Sequence, residues 1–153
     1  MAMTMQGEVT LPADRATVWA ALNDPEVLKA SIPGCQELDK ISDTEFQATA
    51  KVSVGPVKAT FKGGVTLSDL DPPNGYTIGG EGQGGVAGWA KGGAKVRLED
   101  VEGGTRLVYD VEANVGGKIA QLGGRLINGV AKKYADEFFA NFAKILSPAE
   151  SPA

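Results

Sequence analysis

Histidine is absent from the 153 residues. With it go the commonest general base, the commonest zinc ligand and every Ser-His-Asp or Cys-His arrangement for nucleophilic catalysis. The one cysteine, Cys35, excludes an intramolecular disulfide and is compatible with a reducing cytoplasm. No stretch reads as a signal peptide and no apolar run is long enough to span a bilayer, so the expected location is the cytoplasm. A net charge of −4 without a basic block argues against nucleic acid. The length suits one domain, expected over 1–146, that buries a core without staples, with 147–153 as a flexible tail. Met1 to Thr4 read as a leading remnant outside the fold.

What the chain has in excess is glycine, 21 residues, about twice the usual share of roughly 7% and spread through the middle without a repeat. The longest periodic segment is Gly116 to Leu146. Ile119, Leu122, Leu126, Val130, Tyr134, Phe138 and Phe142 recur there at helical spacing, with charged and polar residues between them. This predicts one amphipathic helix about 45 Å long, which must lie across something broad. Gly123, Gly124 and Gly129 inside it mean close packing on a sheet, a bend, or room left for a ligand.

Met5 to Leu11 is the predicted first strand. Asp14 then caps a short helix marked by Val18, Trp19 and Leu22 that ends at Asn23. Asp24-Pro25 starts a second helix carrying Val27, Leu28 and Ile32, closed by Pro33-Gly34. From Cys35 to Val115 the period changes to two. Turn signals arrive at Ser42-Asp43, Gly55-Pro56, Asp71 to Gly75, Gly84 to Gly88 and Glu102 to Gly104. That rhythm is an antiparallel meander of about six strands, about seven with the first. The predicted fold class is α+β: a curved antiparallel sheet, two short helices after strand 1, and a long C-terminal helix gripped by the sheet.

The alternation also assigns the faces. Lys51, Lys58, Lys62, Glu81, Lys91, Lys95, Arg97, Glu99 and Arg106 form the solvated face. The other phase is apolar but small: Ala48, Ala50, Ala59, Gly63, Gly80, Gly82, Gly84, Ala90, Gly92, Ala94 and Ala113. Such side chains do not fill the roughly 10 Å between a sheet and what covers it. Either the glycines permit strong curvature and a close helix, or the interior is hollow and holds something apolar.

Nothing in the polar residues makes a catalytic set. Glu81, Asp110 and Glu112 fall on the solvated face, and Cys35 after a Pro-Gly turn has no histidine partner. The paired glycines of Gly116 to Gly124 lack the Lys-Ser/Thr that completes a phosphate loop. No metal-ligand set is present.

The segments SIPGCQELD (Ser31 to Asp39), GPVKATFKG (Gly55 to Gly63), AGWAKGGAKVRL (Ala87 to Leu98) and GGKIAQLGGRLING (Gly116 to Gly129) resemble the CoxG family of carbon monoxide dehydrogenase subunits, over nearly the whole chain and in order. That family belongs to the START-like helix-grip superfamily, whose members hold apolar ligands between a curved sheet and the C-terminal helix. The resemblance implies a protein that works with a molybdenum carbon monoxide dehydrogenase or a related molybdenum hydroxylase. It would bring that enzyme to the inner face of the cytoplasmic membrane and carry an isoprenoid quinone, menaquinone or ubiquinone, for its electrons. Some members continue through a Pro/Ala-rich linker into a membrane-binding segment, and Ser147 to Ala153 reads as the beginning of such a linker.

On that basis the expected function is non-enzymatic binding of a quinone or similar lipid, without a metal or covalent cofactor. The expected lining is Phe46, Val54, Val57, Phe61 and Trp89 from the sheet with Ile119, Leu122, Leu126 and Val130 from the helix. Trp89 is either a lid stacking on a flat headgroup or a hairpin-end contact. Lys91 and Lys95 meet acidic lipid or a partner, or are simply solvated. An assembly subunit without ligand carriage is the alternative, and a small-molecule cyclase or hydrolase a third reading.

Overall fold

The computed structural model describes residues 2–146. β1 (Ala2–Leu11) is followed by α1 (Arg15–Leu22) and α2 (Pro25–Ser31). The meander β2 (Cys35–Ser42), β3 (Glu45–Val54), β4 (Val57–Asp71), β5 (Gly75–Gln83), β6 (Trp89–Val101) and β7 (Gly104–Gly116) then leads to α3 (Gly124–Leu146). All seven strands form one antiparallel sheet in the order β1-β7-β6-β5-β4-β3-β2. Each strand connection coincides with one of the turn signals, because a polar or glycine-rich break in a period-two pattern is where a hairpin reverses. The sheet is the expected helix-grip sheet, with the two helices after β1.

The local signals act as anticipated at the front of the chain. The Asp14 carboxylate accepts from the Thr17 N–H at 2.8 Å and Asp24 accepts from the Glu26 N–H at 2.9 Å, so both short helices are capped by side chains. Hydrogen bonding to Thr17 holds the Asp14 carboxyl below its ordinary pKa. The Thr105 hydroxyl, wholly buried, donates to the Ala13 carbonyl at 2.7 Å and fixes the β1–α1 link over β7.

Three boundaries differ from the sequence expectation. β1 begins at Ala2, not Met5: Ala2, Met3 and Thr4 pair with Asn114, Ala113 and Glu112, because β7 runs on to Gly116 and offers ladder partners along that length. They are part of the sheet. The long helix begins at Gly124, not Gly116. Gly117 (φ 84°) and Gly123 (φ 93°) sit in the left-handed region, which no α-helix accommodates, and the residues between them, Lys118–Leu122, form a short 3-10 turn. The 23 residues of α3 therefore span about 34 Å, not about 45 Å. The buried stripe consequently changes phase. Counting back from Phe142 by threes and fours through Phe138, Tyr134 and Ala131 reaches Ile127, which is buried, while Leu126 faces outward. The expected tail, 147–153, lies outside the described residues.

Two packed clusters hold the sheet to its cover. The larger joins Leu11, Val18, Leu22, Phe46, Leu67, Tyr76, Val96, Leu98, Leu107 and Phe142, uniting α1, the C-terminal half of α3 and one end of the sheet. The smaller joins Val54, Ala87, Val115, Ile119 and Ile127 at the opposite end. Two polar contacts fix α3 in place: Asn141 Nδ2 donates to the Ser31 carbonyl at 3.1 Å, and the Tyr134 hydroxyl accepts from the Ser53 N–H at 3.1 Å.

The glycines divide by role. A Cβ at Gly63 would collide with the Glu81 carbonyl and one at Gly92 with the Glu112 carbonyl, so these two let neighbouring backbones close up where the sheet coils. Gly129, by contrast, has open space where a side chain would begin. Close packing on the sheet is therefore not its reason. Gly63→Ala should cost about 1–3 kcal/mol through forced backbone shifts, and Gly129→Ala should gain up to about 1 kcal/mol of helix stability. Urea unfolding of the two variants would show midpoint shifts of opposite sign.

Candidate ligand-binding cavity

The registers align the small residues. Ala48, Gly63, Gly82 and Ala90 are successive ladder partners across β3, β4, β5 and β6. The next inward-facing rung runs Phe46, Val65, Gly80, Gly92 and Ala113, and the one after it Leu67, Ile78, Ala94, Val111 and Met5. Side-chain height thus rises along the strands toward α1, and the low rungs lie side by side as a floor. α3 bridges this floor, with contacts to β1 on one side, β3 on the other and α1 and α2 at its far end. Beneath its C-terminal half lies an apolar chamber, and a second, shallower one adjoins it over the sheet.

The deep chamber, about 320 Å³, is walled by α1 (Leu22), α2 and the turn after it (Leu28, Ile32), β2 (Leu38), the inner rungs of β3 to β7, and Ala135, Phe138 and Phe139 of α3. The shallow chamber, about 390 Å³, lies over the low rungs, from Ala48, Ala50 and Phe61 across Gly80, Gly82 and Gly92 to Ala113. The two share Ala48, Val65, Ile78, Ala94 and Val111, so they adjoin along the sheet. Each volume is within the range of small-molecule sites. Both readings of the small residues therefore apply: Gly63 and Gly92 serve curvature, and the alanines with Gly82 leave the space.

Aromatic rings make the deep end rigid. Phe138 meets Phe139 edge-on at 5.0 Å and stacks on Phe142 at 5.5 Å, while Tyr109 stacks on Phe139 at 5.3 Å and Trp19 packs on Tyr76 at 5.1 Å. Tyr76 and Tyr109 supply the only side-chain oxygens on that wall. Burial pushes the Tyr76 phenol well above its ordinary pKa, so it is a neutral hydroxyl at any physiological pH. Such a surface recognises shape and carbon, with at most one or two hydrogen bonds to an oxygen. The wall of the deep chamber carries no carboxylate, amine or thiol. Glu81, Asp110 and Glu112 are exposed, opposite Lys91, Lys95 and Gly93 respectively in the ladder. Burial raises the Cys35 thiol pKa, with Lys29 opposing, which disfavours the thiolate a nucleophile needs. Among the described residues no group of three or more His, Cys, Asp or Glu is placed to hold a metal.

Of the nine residues expected to line the cavity, Phe46 walls the deep chamber and Phe61 the shallow one. Val54, Val57, Ile119, Leu122 and Val130 come together, with Phe61, in the smaller cluster that closes the other end. They form a stopper to the hollow instead of its floor. Leu126 is 37% exposed and packs over Gly55, because the helix phase turns it away. Trp89 is 40% exposed; its phase is opposite to the inward Ala90, and its indole lies over its ladder partner Gly116. It is the hairpin-end contact, not a lid over the chambers. The expectation missed the deep chamber's α3 wall, Ala135, Phe138 and Phe139, and its α1 and α2 wall. Phe138 stood in the apolar stripe, but nothing local says which half of a helix overlies a void.

Residues 7–147 match the family model of the carbon monoxide dehydrogenase subunit CoxG. Among solved structures, a conserved protein from Geobacillus kaustophilus is similar at 30% identity with a TM-score of 0.88, covering 94% of this chain and 95% of that one. Ara h 8.0201 (20% identity, TM-score 0.65, 97% and 100% covered) shares the fold. So does the Zhui aromatase/cyclase from Streptomyces sp. R1128 (14% identity, TM-score 0.68, 95% and 94% covered). No curated protein matches the chain.

Proposed function

Because the chain belongs to the CoxG family of carbon monoxide dehydrogenase subunits, we propose that it is a non-enzymatic carrier whose hollow holds an isoprenoid quinone, menaquinone or ubiquinone. The ligand would serve the electron transfer or membrane recruitment of a molybdenum carbon monoxide dehydrogenase or a related hydroxylase. The observation that carries this reading is the pair of adjoining apolar chambers, one between the sheet and α3 and the other over the low rungs of the sheet, both lined almost wholly by carbon. In this reading the quinone ring lies among Tyr76, Tyr109, Phe138 and Phe139, and the isoprenoid chain runs over the low rungs. Burial of its apolar surface contributes about 25 cal/mol per Å². A phenol donor at Tyr76 or Tyr109 suits a quinone carbonyl. An enzyme of the cyclase kind needs polar groups facing its substrate, and this wall carries two hydroxyls.

Organic-solvent extraction of the purified protein, read by ultraviolet absorbance and mass spectrometry, tests the proposal. A stoichiometric quinone is the expected result. An extract without isoprenoid, from a protein that also takes up none when a short-chain quinone is offered, would leave an assembly subunit without ligand carriage as the better account.

A further inference from the structure

We infer that the end of the domain closed by the smaller cluster is a docking surface for an anionic lipid bilayer. Three connections meet there. Leu126 at the start of α3 packs over Gly55 of the β3–β4 hairpin. Gly84, entering the β5–β6 connection, abuts the Phe61 ring, and Gly88, leaving it, abuts Gly116 and Gly117 at the head of the β7–α3 connection. This end is apolar where it is most prominent. Val86, at the tip of the β5–β6 connection, is 91% exposed, and Trp89 and Leu126 are half-exposed beside it.

Cations gather at the same end. The stretches that build it, 52–60, 84–92 and 113–127, carry Lys58, Lys91, Lys118 and Arg125 and no Asp or Glu, in a chain whose net charge is −4. Lys58, Lys118 and Arg125 are exposed and form no ion pair among the described residues, unlike Arg15 and Arg106 elsewhere. An apolar tip and a tryptophan within unpaired cations match the interface of an acidic membrane. Aromatic rings settle at headgroup depth, and Lys and Arg meet the negative surface potential. A protein partner would need a pocket for Val86 as well as negative charge, whereas a bilayer accepts a convex apolar tip directly.

The inference deepens the carrier reading, since it places the bilayer at the end of the domain closed by the smaller cluster. Its test does not depend on that reading. Flotation of the full chain with phosphatidylcholine vesicles, with and without phosphatidylglycerol, should show binding only to the anionic vesicles and its loss at high salt. Brominated lipid should quench the tryptophan emission, and Trp89→Phe should remove that quenching. Val86→Asp should weaken binding about tenfold, and the pair Lys118→Glu with Arg125→Glu should abolish it. All four positions are exposed, so the variants should keep the unfolding midpoint of the parent, and Lys29→Glu with Lys40→Glu should bind as the parent does. Equal binding to neutral and anionic vesicles, binding to neither, or indifference to the charge reversals would overturn the docking surface. A protein that yields quinone on extraction yet ignores vesicles would refute this inference alone. One that floats with anionic vesicles but holds no quinone would support it and refute the carrier.

Discussion

Ala94→Phe should abolish quinone retention while leaving the fold in place. Ala94 lies on β6 between Ile78 and Val111 in the ladder and borders both chambers, so a benzyl group there occupies the space where they join. Excluding three or four carbons' worth of ligand contact, at about 0.8 kcal/mol each, removes about 3 kcal/mol, roughly a hundredfold in affinity. The added ring fills existing space in place of displacing packed neighbours, so the urea midpoint should hold or rise. Titration of the variant with a short-chain quinone, followed by tryptophan fluorescence, gives the affinity. Leu126→Trp is the control: the outward phase of Leu126 means that a bulky residue there should leave ligand retention unchanged. If Ala94→Phe binds as the parent does while Leu126→Trp does not, the cavity assignment is wrong and the ligand sits at the other end.

Phe142→Ala should be the most destabilising single truncation. The Phe142 ring is fully buried, stacks on Phe138 and belongs to the cluster with Leu11, Val18 and Leu107 that joins α3 to α1 and β7. Removing a ring from such a site costs about 3–5 kcal/mol, against a total stability of about 5–15 kcal/mol for an ordinary domain. The urea midpoint should fall by about a fifth or more, and at the low end of that stability range the protein should be partly unfolded in buffer. Ligand affinity should fall as well, because Phe142 backs Phe138, which walls the deep chamber. Phe142→Leu separates the two effects: it keeps most of the buried volume and should restore stability more fully than it restores binding.

Much of the architecture was readable along the chain because its signals are local. Asp14 and Asp24 announce helix starts through hydrogen bonds to residues two or three positions away. A period of two broken by glycine, proline and asparagine announces hairpins wherever it occurs. The inward phase of β3 to β7 was also correct, since a shift of one residue would have put lysines inside. The errors fall where local pattern was silent or misleading. Ile119 and Leu122 continue the apolar spacing of α3 through Gly123, but its left-handed φ breaks the helix between them and Ile127, so a stripe drawn through Leu126 points to solvent. Trp89 stood out against its small neighbours, yet the alternation that places Ala90 inward already turns Trp89 outward.

The sequence by itself determined the order of the elements, the faces of the strands and the smallness of one face, because each is set by side chains that meet solvent or core at a fixed local period. Only the tertiary structure decided where that smallness collects. Ala48, Gly63, Gly82 and Ala90 come from four strands, and they become one low rung through hairpin registers that no single strand encodes. The position of the deep chamber was likewise set by the far end of α3, anchored through Asn141 to Ser31 and through Phe142 to the larger cluster. A cavity is a place where packing stops, so it belongs to the arrangement of all its walls and to no one of them.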